Sequence, residues 1–344
     1  MSPSSIKETL DPDCVTGMIL AGGLGTRLFP LTKFRPKPVV PFLGKPLIHY
    51  SMDSLLEGGI KSAVINLHYL PNKIREAARN FSASTSLKID FSPESQILGT
   101  SGALRHAKDL LKGREIVILN GKIYSEIDLS LALDVHREND ALITLVVLPF
   151  PSKTNFNPVR IAKDGSVLGF GPGNSGIPTL FTGIQIWNRE VLLNLPKGPS
   201  DSVKDIYPSL IEQGKRIYSH LSRDYWCECS TPDRYWRNSM EMLGRGLKSA
   251  SHVSCLDPSR KNVIRGAKVE IETGSQIEDS IIWDNVIIQK DCLIRNAIIC
   301  AGVRLPSNTR LENVIVTPLF NWTSGNPTHR PQVQNDLLIW PLDC

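Results

Sequence analysis

From Ile281 onward an aliphatic side chain returns at every sixth position: Ile281, Ile287, Leu293, Ile299, Leu305 and Leu311. Val263 and Val269 carry the same phase backward, with Ser275 as the one break. A lone amphipathic helix repeats at about 3.6 residues and a hairpin strand at about two, so neither produces this interval. A six-residue repeat is the mark of a β-helix, in which each flat side of a coil turns one aliphatic residue inward. The plainer alternative is a β-rich tail with chance spacing. About three coils cannot stand alone. Residues 255–320 are therefore expected to form a short β-helix that packs on the preceding domain or on a second copy, making the protein a homo-oligomer. Residues 321–344 follow as a tail.

Upstream of residue 245 the pattern changes. VTGMIL, SAVINL, LKIDFS, EIVILN and ALITLVVLPF read as strands. PLIHYSMDSLLEGG, NKIREAARNF and TSGALRHAKDLLKG read as helices, the first and last closed by glycine. Strands alternating with three-turn helices give an α/β fold, a mainly parallel sheet flanked by helices over residues 15–245. Ligands in such sheets sit at the carboxyl ends of the strands, where both glycine-containing loops fall.

Composition narrows the function classes. Hydrophobic residues make up 41% and charged residues 21% of the 344, a balance that excludes a disordered or fibrous chain. Lys and Arg exceed the acids by 39 to 34, too small a surplus for a nucleic-acid partner but compatible with an anion site. No apolar run approaches the roughly 20 residues that span a bilayer. Residues 1–14 form a polar, acid-bearing arm, unlike a signal or transit peptide. Seven cysteines with no repeated CxxC spacing suit reduced thiols. No membrane partner and a cytoplasmic location are expected.

The richest segment is Met18–Pro41, MILAGGLGTRLFPLTKFRPKPVVP. Gly22, Gly23 and Gly25 let the backbone turn sharply and approach a ligand, and their amides suit a polyanion. Arg27 adds a fork matched to phosphate oxygens, and Lys37 follows between two prolines that stiffen it. No GK[ST] follows, so this is not a Walker A loop, and the dinucleotide GxGxxG pattern is also absent.

The string L-A-G-G-x-G-T-R-L-x-P-L-T, followed by P-K-P, resembles the signature of the sugar-1-phosphate nucleotidyltransferases over about residues 16–245. That resemblance implies a Rossmann-like nucleotidyltransferase fold, with the C-terminal left-handed β-helix that several members carry. It implies transfer of a nucleotidyl group from a nucleoside triphosphate to a sugar 1-phosphate. Ala21, Gly22, Gly23, Gly25 and Thr26 then hold the triphosphate, with Arg27 on its phosphates and Lys37 near the reacting α-phosphate. Gln96, Gly99, Thr100 and Gly102 resemble the segment that reads the nucleobase. Asn120 and Gly121 resemble the start of the NGD motif, and Thr182 and Gly183 a strand bordering the sugar pocket. Trp226–Pro232, WCECSTP, resembles W-x-D-x-G-T-P.

The chain departs from the family at three places. The aspartate of NGD, which ligates Mg²⁺, is here Lys122, and the second acidic ligand is Glu228. A protonated lysine offers no lone pair, whereas Mg²⁺ seeks carboxylate oxygens. Lys122 itself supplies charge at the α-phosphate, or Glu126 or Asp128 replaces the ligand, or the chain is a non-catalytic homologue that binds a nucleotide or nucleotide sugar as a regulatory or scaffold subunit. Val167–Phe170 is followed by Gly171-Pro172-Gly173 rather than the E-K-P of many members. That shorter form is nearer the N-acetylmuramate, heptose and mannose 1-phosphate type, and Arg160 is the substitute anchor for the sugar phosphate. Cys227 and Cys229 lack the partners of a zinc site, and the histidines are expected to be structural. An acyltransferase would need a histidine in residues 260–318, which have none.

Overall fold

The computed structural model describes residues 15–152, 156–173, 175–246, 261–320 and 330–342. The expected arm at 1–14, the boundary near 247–260 and the start of the tail at 321–329 lie outside them. The contacts divide the chain into two compact units. One comprises residues through Gly23 together with Ile48–Trp226; the other comprises Leu24–Leu47 together with the chain from Cys227 onward.

In the first unit, Val15–Leu20 (β1) is buried except at its ends, as an apolar run in a sheet covered on both faces must be. Ser62–Leu67 (β2), Lys88–Pro93 (β3) and Glu115–Asn120 (β4) join it in the parallel order β3-β2-β1-β4. Leu47–Glu57 (α1), Pro71–Ala83 (α2) and Gly99–His106 (α3) connect these strands. Gly17 of β1 lets Leu55 of α1 pack close, since a Cβ there would lie 2.5 Å from Leu55 Cδ1 and displace it. The expected helix over 100–113 ends at His106, seven residues short of Gly113.

Past β4 the sheet is mixed rather than parallel. Ile143–Pro149 (β5), Val159–Ile161 (β6), Val167–Phe170 (β7), Ile177–Asn188 (β8) and Ile217–Leu221 (β9) complete nine strands. The long β8 runs antiparallel to β4, β5 and β6. Leu129–Glu138 (α4) precedes β5. The core runs through Met18, Ile118, Leu145 and Trp187.

In the second unit, Pro232–Gly244 (α5) is followed by the expected β-helix, but its coil has 17 residues. Gln276 pairs with Leu293 and Leu293 with Arg310, 17 residues on each time. Left-handed corners fall at Asn262, Asp279, Asn296 and Asn313, at Lys268, Asn285 and Gly302, and at Gly274, Asp291 and Asn308. Each coil thus turns after six, six and five residues. A constant phase of six drifts by one residue per coil. It starts on one inward column at Val263 and Val269 and ends on another at Ile299, Leu305 and Leu311, all in the coil core. Between them it crosses Ile281, Ile287 and Leu293, which the core does not contain. Ile282, Ile288 and Ile294 point inward in their place. Gln332–Gln334 and Leu337–Pro341 form a hairpin whose second strand pairs antiparallel with Arg310–Pro318, so part of the expected tail extends the coil sheet.

The segment Leu24–Leu47 packs within this second unit. Tyr235 of α5 donates its hydroxyl to Pro41 O at 2.5 Å and accepts Trp283 Nε1–H at 3.1 Å. Arg35 pairs with Asp284 at 3.1 Å, its guanidinium over the Trp283 ring. Phe29 meets Trp340 edge-on at 5.3 Å, and Phe34 meets Phe320 at 5.5 Å. The coil and the second half of the glycine-rich signature therefore share one core.

Candidate active site

In the first unit, the carboxyl ends of four adjacent parallel strands carry a connected row of polar groups. The Ala21 amide, just past β1, donates to Asn66 Oδ1 at 2.7 Å. Asn66, at the end of β2, donates from Nδ2 to Glu94 Oε1 at 2.7 Å. Glu94, just past β3, accepts the Leu98 amide on Oε2 at 3.3 Å. Both side chains are buried. A Cβ on Gly22 would sit 2.7 Å from Asn66 Nδ2, so only glycine lets the loop pass here. Gly23 is open. The Gly121 amide, past β4, donates to Leu20 O at 3.0 Å.

Asn120 and Gly183, far apart in sequence, come together in this unit. Gly183 has φ +81°, and a Cβ there would lie 2.0 Å from Asn120 Nδ2. Lys122 is half-buried in the turn after β4. Thr182 turns its hydroxyl inward, donating to Val146 O at 2.7 Å and accepting the Ile184 amide. The hydroxyl thus fixes the backbone of β8.

The Leu98–Gly102 string is a packing element. A Cβ on Gly99 would meet Ser200 O at 2.4 Å, and one on Gly102 would meet Gly198 O at 2.7 Å. The Gly102 amide is spent on Ser200 O at 3.3 Å, and the Thr100 hydroxyl accepts the Ser202 amide at 2.7 Å. Gln96 is exposed beside this string. Arg160 is half-buried, and its Nη1 donates to Gly176 O at 3.3 Å.

In the second unit, Gly25 has φ +70° and lies against Lys37, whose Cβ would be 3.3 Å from a Cβ on Gly25. Thr26 and Arg27 are exposed on the short turn that follows. Lys37 is buried, and its ammonium donates to Ser230 O at 3.4 Å. The Ser230 hydroxyl donates to Glu228 Oε1 at 2.7 Å. Arg234, in the first turn of α5, donates from Nη1 to Glu228 Oε1 at 2.5 Å and to Ser230 Oγ at 3.2 Å. Asn66, Glu94 and Arg234 escaped the reading of the sequence. The signal for Asn66 was a polar residue near the end of the apolar strand SAVINL; Glu94 had none.

These residues do not fit the implied Mg²⁺. Glu228 is already held by a guanidinium and a hydroxyl, and Lys122 has no lone pair to give. Asp128 is the N-cap of α4, and its bonds from the Ser130 hydroxyl and amide hold its carboxyl below the usual range. Glu126 accepts the Tyr124 hydroxyl at 3.0 Å. Among the described residues no three His, Cys, Asp or Glu side chains gather around a common point. Cys227 and Cys229 are buried free thiols, and burial pushes the Cys229 thiol well up. His49, His68 and His106 each bond a backbone carbonyl, as structural histidines do.

Residues 16–245 match the model of a family described as nucleotidyl transferase, and residues 251–313 one described as GlmU-like, C-terminal hexapeptide. The mannose-1-phosphate guanylyltransferase of Mycobacterium tuberculosis is 27% identical over 298 residues, 81% of this chain and 83% of that one. The mannose-1-phosphate guanyltransferase of Eremothecium gossypii is 30% identical over 262 residues, 71% of this chain and 72% of that one. The crystal structure of HddC from Yersinia pseudotuberculosis superposes with a TM-score of 0.57 at 23% identity, covering 66% of this chain and 99% of that one. This last likeness is one of fold. No helix among the described residues is long and apolar enough to cross a membrane.

Proposed function

The chain belongs to the nucleotidyl transferase family, and from that footing we propose that it joins a nucleoside triphosphate to a sugar 1-phosphate, giving a nucleotide sugar and pyrophosphate. GTP and mannose 1-phosphate are the pair to test first, because its relatives in Mycobacterium tuberculosis and Eremothecium gossypii bear the corresponding names. The observation that carries the reading is the glycine loop at the end of β1. Its Ala21 amide is anchored on Asn66, and Gly22 is too crowded for any side chain.

In the proposed step, an oxygen of the sugar phosphate attacks the α-phosphorus, and the bond to the bridging oxygen of pyrophosphate breaks. No group needs redox change, and catalysis is chiefly alignment and charge neutralisation. The Gly22–Arg27 loop is assigned to the triphosphate, with Lys37 and Lys122 as further cations. Asn120 and Gly121 are assigned to the nucleotide, and Thr182, Gly183 and Arg160 to the sugar side. We place the protein in the cytosol, a reading supported by four buried free thiols, and treat it as a homo-oligomer. Phe34, Leu319 and Val333 support the latter as exposed apolar side chains of the second unit.

The test is pyrophosphate release from GTP, ATP and the pyrimidine triphosphates against mannose, glucose, heptose and N-acetylmuramate 1-phosphates. Turnover with one pair is the expected result. Triphosphate binding without turnover on any sugar would put the binding-only homologue in its place.

A further inference from the structure

The acidic position of the W-x-D-x-G-T-P string that the family resemblance assigns to Mg²⁺ is here Glu228, and its carboxylate is already held by a guanidinium. The second altered position of that string, Ser230 in place of glycine, is part of the same network. Its hydroxyl donates to Glu228 at 2.7 Å and accepts Arg234 Nη1–H at 3.2 Å. Arg234 closes the network on Glu228 Oε1 at 2.5 Å.

Arg234 does not sit there for the helix. It occupies the first turn of α5, where the helix dipole favours acids over bases. Glu228 is 9% exposed, and a carboxylate so covered requires a fixed counter-ion. Ser230 also receives the Lys37 ammonium on its backbone oxygen at 3.4 Å. An ammonium and a guanidinium thus converge on Ser230, and Lys37 is in turn packed under Gly25 of the phosphate loop. From this we infer that the polyphosphate of the nucleotide is held by side-chain cations without a divalent metal, and that Arg234 is the residue that both closes Glu228 to a metal and supplies part of the charge. The inference rests on the proposed nucleotidyl transfer for the identity of the ligand, and on the Glu228–Ser230–Arg234–Lys37 geometry for the rest.

The test measures binding of GTP and of inorganic tripolyphosphate by titration calorimetry, in Mg²⁺ and in EDTA, for the parent, Arg234→Met and Arg234→Lys. The parent is expected to bind both probes within about 3-fold in the two buffers, whereas Arg234→Met loses at least ~10-fold in EDTA, the scale of one charge-assisted bond. Arg234→Lys restores most of the loss, which a merely structural guanidinium would not allow. If Arg234→Met fails to fold, Glu228→Gln/Arg234→Met removes both charges together and is expected to show the same loss. A parent that needs Mg²⁺ to bind tripolyphosphate, or that binds none, overturns the inference, as does an Arg234→Met variant that binds like the parent. Tripolyphosphate binding that depends on Arg234, with GTP no better than tripolyphosphate, upholds the inference and counts instead against the nucleotide reading.

Discussion

Asn66 holds the glycine loop from beneath, and little else is placed to do so. Removing its amide strands the Ala21 N–H and one oxygen of the buried Glu94. Asn66→Ala is therefore expected to cost about 1–3 kcal/mol of stability, read by urea denaturation, and to weaken triphosphate binding as the loop loosens. Arg27 presents the opposite case. It is exposed and does no packing work, so Arg27→Ala should leave the melting temperature unchanged while weakening triphosphate binding by ~1.5–3 kcal/mol in calorimetry. Equal binding by parent and variant would remove Arg27 from the phosphate site. The glycines and basic residues of the loop stand out in the sequence because their spacing is dense and chemically specific. Asn66, Glu94 and Arg234 do not, since each is one polar residue whose meaning comes only from a partner distant in the chain. At Gly99 and Gly102 the glycine also serves packing, against the carbonyls of Ser200 and Gly198, and that demand has no local mark in the sequence.

At the scale of elements, the β-helix corners carry a regular demand. Asn296 has φ +48° and its side-chain amide donates to Asn313 at 3.1 Å across adjacent coils. A β-branched residue resists that backbone region, while glycine adopts it freely. Asn296→Ile is expected to lower stability by about 1–3 kcal/mol, and Asn296→Gly by well under half of that, in thermal or urea unfolding. The coil itself was visible as a six-residue interval, but one five-residue side per coil cannot be seen from an interval that hydrophobic residues tolerate on either face. A second element carries a pH dependence. His136 of α4 is buried, with Nδ1 2.8 Å from Thr144 Oγ1 and Nε2 3.2 Å from Asn188 Oδ1. Asn188 spends its amide on Ala141 O, so its oxygen accepts from Nε2–H. Burial lowers the His136 pKa, so below the ordinary value of about 6.5 the unfolded chain binds a proton that the folded one refuses. Stability is therefore full above that value and falls as pH drops through it. His136→Gln should flatten the slope of unfolding free energy between about pH 6.5 and 5, and an unchanged slope would assign the dependence elsewhere, with His220, also lowered by burial, the next to replace.

The whole molecule joins its two sequence regions in an order the sequence conceals. An interval of six and a glycine signature suggest separate modules, one for assembly and one for chemistry. Yet Leu24–Leu47, which carries Gly25, Arg27 and Lys37, folds with the coil and α5. The ties are specific: Arg35 to Asp284 and the Trp283 ring, Tyr235 to Pro41 and Trp283, and Phe29 and Phe34 to Trp340 and Phe320. No local pattern announces them, because all but the Tyr235–Trp283 tie join residues roughly 200 or more positions apart, and contact at that range is fixed by packing alone. They change what truncation should do. A chain ending at residue 260 would lack the side chains this segment packs against, among them Trp283, Asp284, Phe320 and Trp340, and would leave Phe29, Phe34 and Arg35 without them. Were the coil only an assembly platform, its loss would alter the oligomeric state and spare the affinity. With the phosphate loop resting on it, the loss should instead weaken triphosphate binding by at least ~10-fold in calorimetry, the scale of losing one charge-assisted contact from misplacement of Lys37 or Arg27. Light scattering on the same sample separates the two cases. A truncated chain that is monodisperse and binds triphosphate as the parent does would show that Leu24–Leu47 holds its shape without the coil.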